Sequence, residues 1–155
     1  MTFDKADAIV RLYQADDGIA ERIKALHDAA YAVEAQLLGL DEFPPLKRTL
    51  ASYAESRSVF FGYMHEGCCV GSIELETENL PVLEVSSLVV DPKCSRRGIA
   101  TKLMTHVLSK AGTRRVIVST ATANYPAIKL YEGLGFRAVD QWKTDDGIDI
   151  VQLEK

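Results

Sequence analysis

This sequence predicts one mixed α/β domain spanning residues 1–155, on three observations. Short runs of β-formers alternate with segments whose apolar residues recur at helical spacing. The elements come in the order β-α-α-β-β-β-α-β-α-β-β, a mixed layout with no internal repeat, low-complexity tract or linker. A length of 155 residues, 47% hydrophobic and 26% charged, suits a single core.

Ala8 to Tyr13 reads as the first strand. Asp16-Asp17-Gly18 then introduces a helix whose apolar positions are Ile19, Ile23, Leu26, Ala30, Val33 and Leu37. Pro44-Pro45 closes that region and opens a second short helix, Leu46 to Glu55. Val59 to Met64 and Cys69 to Leu75 make a hairpin about His65-Glu66-Gly67. Asn79-Leu80-Pro81 breaks the chain before a strand at Leu83 to Val90. A helix at 97–111 follows, then the strand Val116 to Thr120 and the helix Asn124 to Leu134. Two closing strands, about 138–143 and 148–153, flank Thr144-Asp145-Asp146-Gly147.

The most informative stretch is Asp91-Pro92-Lys93-Cys94-Ser95-Arg96-Arg97-Gly98-Ile99-Ala100-Thr101-Lys102-Leu103. A β-rich run leads into it and an amphipathic helix leaves it, so it is a short basic turn at a helix start. Such a turn aims several backbone N–H groups and the positive end of the helix dipole at one point. Gly98 and the small Ala100 let a ligand come close to the backbone, while Arg96 and Arg97 add charge. The physics asks for an anionic, phosphate-bearing ligand. Neither the nucleotide-triphosphate loop nor the dinucleotide fingerprint occurs in the chain.

Ser95-Arg96-Arg97-Gly98-Ile99-Ala100 resembles the acyl-CoA pyrophosphate loop of the GNAT N-acetyltransferase superfamily, Gln/Arg-x-x-Gly-x-Gly/Ala. It departs from that pattern at Ser95. About 25 residues on, Asn124-Tyr125-Pro126-Ala127-Ile128-Lys129-Leu130-Tyr131-Glu132-Gly133-Leu134-Gly135-Phe136 is similar to the family's N-x-x-A-x-x-L-Y-x-x-x-G-F signature. The resemblance is sharp over roughly 83–137 and looser elsewhere. It implies a twisted mixed sheet flanked by helices, with strands that splay around the cofactor. It also implies acetyl-CoA as acyl donor and transfer of the acetyl group to a primary amine of a small molecule or peptide, without a covalent enzyme intermediate. By the same resemblance, backbone groups of Leu88, Val89 and Val90 hold the pantetheine arm like an added strand. Ser95, Arg96, Arg97, Gly98, Ile99, Ala100 and Thr101 take the pyrophosphate, and Asn124 also faces the cofactor.

Composition narrows the alternatives. The three cysteines, Cys68, Cys69 and Cys94, are too few and too odd for a disulfide framework. With His27, His65 and His106 they form no ligand-spaced motif, so no metal is expected. Met1 to Asp7 lacks the features of a secretory signal, and no apolar run approaches the ~20 residues of a membrane span. A cytoplasmic protein with no membrane partner is expected. Net charge is −4, yet residues 93–137 hold nine basic side chains against one acid, Glu132. That asymmetry suits steering of a polyphosphate cofactor. Nucleic acid is disfavoured by a pI near 5.4. A homodimer stays compatible with everything above.

An acyl transfer to an amine needs the amine deprotonated, the carbonyl oxygen polarised and the departing thiolate protonated. The resemblance assigns the last role to Tyr131, seven residues or about two helical turns after Asn124. A backbone N–H near Leu88 would polarise the carbonyl. Glu84, four residues before Leu88 and read as sharing its strand face, is the expected base, with Glu74, Glu76 or a water as alternatives. The segment Tyr31, Glu34, Phe43 and Pro44 mixes aromatic surface with one carboxylate and would suit a small amine acceptor. The competing reading is an acyl-CoA-binding sensor or a non-catalytic module of the same fold.

Overall fold

The structure, a computed structural model, describes residues 6–76 and 81–155. Residues Met1 to Lys5 of the expected leaderless N-terminus, and Asn79-Leu80 of the expected break, lie outside the described residues. The strands are β1 (Ala8–Leu12), β2 (Val59–His65), β3 (Cys68–Glu76), β4 (Val82–Val90), β5 (Arg115–Ala121), β6 (Arg137–Lys143) and β7 (Asp149–Glu154). The helices are α1 (Asp17–Leu38), α2 (Leu50–Ala54), α3 (Ile99–Ala111) and α4 (Tyr125–Gly133). One seven-stranded sheet has the order β1-β2-β3-β4-β5-β7-β6, antiparallel except where β4 meets β5. This is the mixed α/β architecture read from the sequence.

The main core lies between the sheet and helices α3 and α4. Leu103, Met104 and Val107 of α3 are fully buried against Ile73, Leu83, Val85, Val116 and Leu153. Burial of this kind is worth about 1.5–3 kcal/mol for each large apolar side chain. A smaller core on the opposite face gathers Leu12, Ile23, Tyr53 and Phe60 under α1 and α2. At Gly71 the start of α3 presses onto β3: a Cβ there would lie 2.7 Å from Ile99 Cγ2. Only glycine lets the helix begin so close to the sheet.

Three local departures from the sequence reading bear on the site. The expected helix at 46–55 is split into a 3₁₀ turn, Pro44–Lys47, and α2. Arg48 between them is extended (φ −65°, ψ 127°), and Thr49 caps α2 by accepting a hydrogen bond from the Ser52 N–H. The break frees Arg48 to reach across to β3. In α1, Val33 and Leu37 are half exposed while Ala35 is buried and Glu34 turns inward. The inward face of that end of the helix lies over a cavity instead of the core, so apolar periodicity misplaces it.

The third departure is in β4. Leu75 pairs with Val85 and Glu74 with Ser87, leaving Ser86 as an extra residue in the ladder. Directly paired residues share a face, and a one-residue bulge reverses the alternation beyond it. Val85 and Leu88 therefore point to the α3 side, and Glu84 points to the other side with Glu74, Glu76 and Ser87. The shared face expected of Glu84 and Leu88 does not exist.

Candidate active site

The parallel pairing of β4 with β5 covers only Val82–Val85 against Arg115–Val118. Beyond it the two strands have no common ladder: β4 continues on β3 and β5 on β7. The sheet opens there, and two cavities occupy the opening. One, of about 410 Å³, runs from Leu88 and Val90 of β4 to the turn before α3. The other, of about 280 Å³, lies between α1, the Phe43–Pro45 segment and β5. Leu88, Ala127 and Tyr131 line both, so the two meet at the tyrosine.

At the far end of the first cavity, Ser95, Arg96, Arg97 and Gly98 are all exposed. Arg96 (φ 64°) and Gly98 (φ 75°) both have left-handed backbones on either side of Arg97. Alternation of this type turns successive N–H groups toward one side and makes an anion-binding concavity. Gly98 is also the N-cap of α3 and supplies no side-chain hydrogen bond to the first turn. The first helical N–H groups thus stay available to a ligand. The space around a Cβ at Gly98 is open to 4 Å. Room, charge and unspent donors coincide, which fits a pyrophosphate.

Of the residues the sequence offered for the cofactor, Leu88, Val90 and Ser95 line this first cavity, as do Arg96, Gly98, Ile99, Ala100 and Thr101. Arg97 is on the turn but does not line the cavity, and Val89 is buried opposite Ser72 on the other face of the sheet. Asn124 belongs to the second cavity. Its side-chain oxygen caps α4 by accepting from the Ala127 N–H at 3.3 Å, while its Nδ2 donates to Glu34 Oε1 at 3.0 Å. One residue thus ties the start of α4 to α1.

Tyr131 is 5% exposed and stacks at a tilt on Phe136, 5.8 Å between ring centroids. Burial, aided by the negative charge of Glu34, pushes its phenol well above the ordinary tyrosine range. It stays protonated at any ordinary pH and is available as a donor. Glu34 is the one acidic side chain on the walls of the second cavity, where no Lys, Arg or His stands among the described residues. Burial raises its pKa above the usual carboxylate value, against a smaller lowering from the Asn124 hydrogen bond. Tyr31, Phe43 and Pro44 complete that wall, with the rings of Tyr31 and Phe43 edge-on at 5.8 Å.

The other carboxylates are differently placed. Glu84 lines neither cavity, and Val85, Ser86 and Ser87 separate it from Leu88 along β4. Glu74 is 3% exposed and held by Arg48 through two hydrogen bonds of 2.9 and 3.1 Å. The Arg48 guanidinium also lies over the Tyr53 ring at 4.1 Å. Ser87, which lines the second cavity, is 3.1 Å from Glu74 Oε1 and 3.0 Å from His27 Nε2. His27 Nδ1 must donate to the Ile23 carbonyl, because a carbonyl only accepts. Burial holds this imidazole below its usual range, and a neutral ring then presents a lone pair to Ser87. One hydroxyl proton lies between two acceptors. Sequence reading missed this network, since its members are 13 to 60 residues apart.

The Acetyltransferase (GNAT) family model matches residues 20–136, most of the chain. The chain belongs to the GNAT acetyltransferase family. A Bacillus subtilis (strain 168) protein named "UPF0157 protein YqkA" is 32% identical over 131 residues, 84% of this chain. This chain spans only 38% of that relative's length. Among solved structures, the ribosomal-protein-S18-alanine N-acetyltransferase of Escherichia coli matches with a TM-score of 0.74 at 19% identity. The match covers 96% of this chain and 92% of that one. The PaiA N-acetyltransferase of Thermoplasma acidophilum, solved with coenzyme A, gives 0.70 at 17% identity, over 96% and 98% of the two chains. These likenesses establish the fold. No described helix of this GNAT chain is long and apolar enough to cross a membrane.

Proposed function

We propose that this chain transfers the acetyl group of acetyl-CoA to a primary amine, by direct attack and without an acyl-enzyme. The observation that carries the reading is the meeting of two cavities at Tyr131, one ending on a phosphate-suited turn and the other on a lone carboxylate. Acetyl-CoA supplies the activated thioester. The turn at Ser95–Ala100 binds its pyrophosphate through backbone N–H groups, with Arg96 and Arg97 adding attraction. Main-chain groups of Leu88 to Val90 that lack a β5 partner hold the pantetheine arm and polarise the thioester carbonyl. Tyr131, kept protonated by its burial, gives its proton to the departing sulfur. Holding donor and acceptor in line contributes ~7 kcal/mol or more toward the barrier.

Thiol release from acetyl-CoA in the presence of primary amines tests this reading. Turnover is expected from the parent protein, with Tyr131→Phe keeping CoA affinity and losing roughly ten- to a hundredfold in rate, the low end of general-acid effects. Tight acetyl-CoA binding with no thiol release to any amine would leave an acyl-CoA sensor instead. A fully active Tyr131→Phe would make the tyrosine a packing residue.

A further inference from the structure

We infer that Glu34 selects the acceptor and takes its proton, and that the acceptor is a small primary amine with an apolar body and no negative charge. This rests on the acetyltransferase reading above and goes on to name the substrate class of the second cavity.

The walls of that cavity decide the class. Tyr31, Phe43, Pro44, Val118 and Ile150 give it a mainly apolar surface, and about 280 Å³ limits what it can hold. Among the described residues Glu34 is its one acidic wall residue, and none of its walls is basic. A carboxylate or phosphate on the acceptor would be buried beside Glu34 with no cation on the described walls to pair it, and its lost hydration would go uncompensated. An ammonium gains in the same place, because the walls around the carboxylate contain little to screen the attraction.

Glu34 is also held in position. The Asn124 amide occupies Oε1, which fixes the carboxylate and leaves Oε2 as the open acceptor. Since Asn124 caps α4 and Tyr131 lies two turns along that helix, the base and the acid are referred to the same element. The proton balance closes. The ammonium gives one proton to Glu34, which passes it to solvent. As the C–N bond forms and the C–S bond breaks, the nitrogen loses a second proton, matched by the one Tyr131 delivers to sulfur and recovers. A base with a raised pKa works closer to neutrality, so the rate should fall as pH drops through that value.

The test uses 2-phenylethylamine and hexylamine as probes, against 2-phenylethanol (no ammonium) and phenylalanine (an added carboxylate). Acetylation by acetyl-CoA and calorimetric binding in the presence of CoA are read together. The parent should bind and acetylate both amines and neither comparison compound. Glu34→Gln should keep its affinity for CoA, lose at least a hundredfold in kcat/KM for the amines, and lose the acidic limb of the pH profile. Glu34→Asp, which restores a carboxylate, should recover that limb at a lower rate, and it decides the matter if the glutamine variant folds poorly. The inference is overturned if the alcohol or phenylalanine binds as well as the amines, or if the Glu34→Gln profile is unaltered. It is overturned equally if Glu84→Gln, and not Glu34→Gln, removes the acidic limb. Failure of CoA itself to bind would instead overturn the acetyltransferase reading, and amine binding to the protein alone would still judge Glu34.

Discussion

The cavity proposed for the cofactor and the one proposed for the acceptor share three residues yet are built in opposite ways. The cofactor side is mainly local: a strand, a turn and a helix start between Leu88 and Thr101 supply most of its walls, and α4 closes it with Pro126, Ala127, Leu130 and Tyr131. Its donors are backbone groups, and its backbone is shaped by Arg96 and Gly98 in left-handed conformations. The acceptor side is assembled from distant segments, α1, the proline turn after it, β5 and α4. Its defining hydrogen bond joins residues 90 apart, Glu34 and Asn124. Backbone recognition suits a ligand every member of a family shares, and side chains from separate segments can vary without disturbing it. The difference predicts that substitutions on the two sides fail in different ways.

The largest effect belongs to the cofactor side. Gly98→Glu places bulk and negative charge where a phosphate must lie and should abolish CoA binding in calorimetry. Because φ is 75° there, part of any effect is backbone strain, so Gly98→Ala is the control. The alanine variant should lose about 1 kcal/mol of stability and still bind CoA. If Gly98→Glu binds CoA as the parent does, the cofactor side has been placed wrongly.

The acceptor side should show a smaller effect, opposite in sign for stability. Burial favours the protonated form of Glu34, so the folded state loses stability as pH rises from the ordinary carboxylate value of 4.5 through the raised one. Glu34→Gln removes that dependence and keeps an oxygen for Asn124. Its Tm should exceed the parent's by a few degrees at neutral pH, with the gain fading as pH falls from the raised value to 4.5. A variant less stable than the parent at neutral pH would mean that Glu34 is a structural partner of Asn124 and not a group kept for function at a cost in stability.

The same contrast explains what could be read in the sequence. The order of elements, the basic turn before α3 and the helix start at Asn124 are legible because each is a local pattern carried by neighbouring residues. Tyr31, Glu34, Phe43 and Pro44 are legible as one segment, and all four line the second cavity. The hydrogen bond from Asn124 to Glu34 is not legible, since nothing local to Asn124 announces a glutamate on α1. The face of Glu84 was misread because Leu83 to Val90 is an unbroken run of strand-like residues, and the bulge at Ser86 is fixed only by pairing with β3. The exposed Val33 and Leu37 were given to the core for a related reason, periodicity alone not distinguishing a helix face over a cavity from one over packed side chains. The role of Arg48 is not legible, because its reach to Glu74 depends on the break between the proline turn and α2.

The most direct test of two cavities meeting at one tyrosine is a crystal structure with acetyl-CoA and 2-phenylethylamine, using Tyr131→Phe if turnover empties the site. The pyrophosphate should lie on the Ser95–Ala100 turn and the sulfur beside position 131. The acetyl group should open into the cavity that holds Glu34, with the ammonium on that carboxylate. A cofactor seated on the turn whose acetyl group points away from Tyr131 and Glu34 would contradict the account.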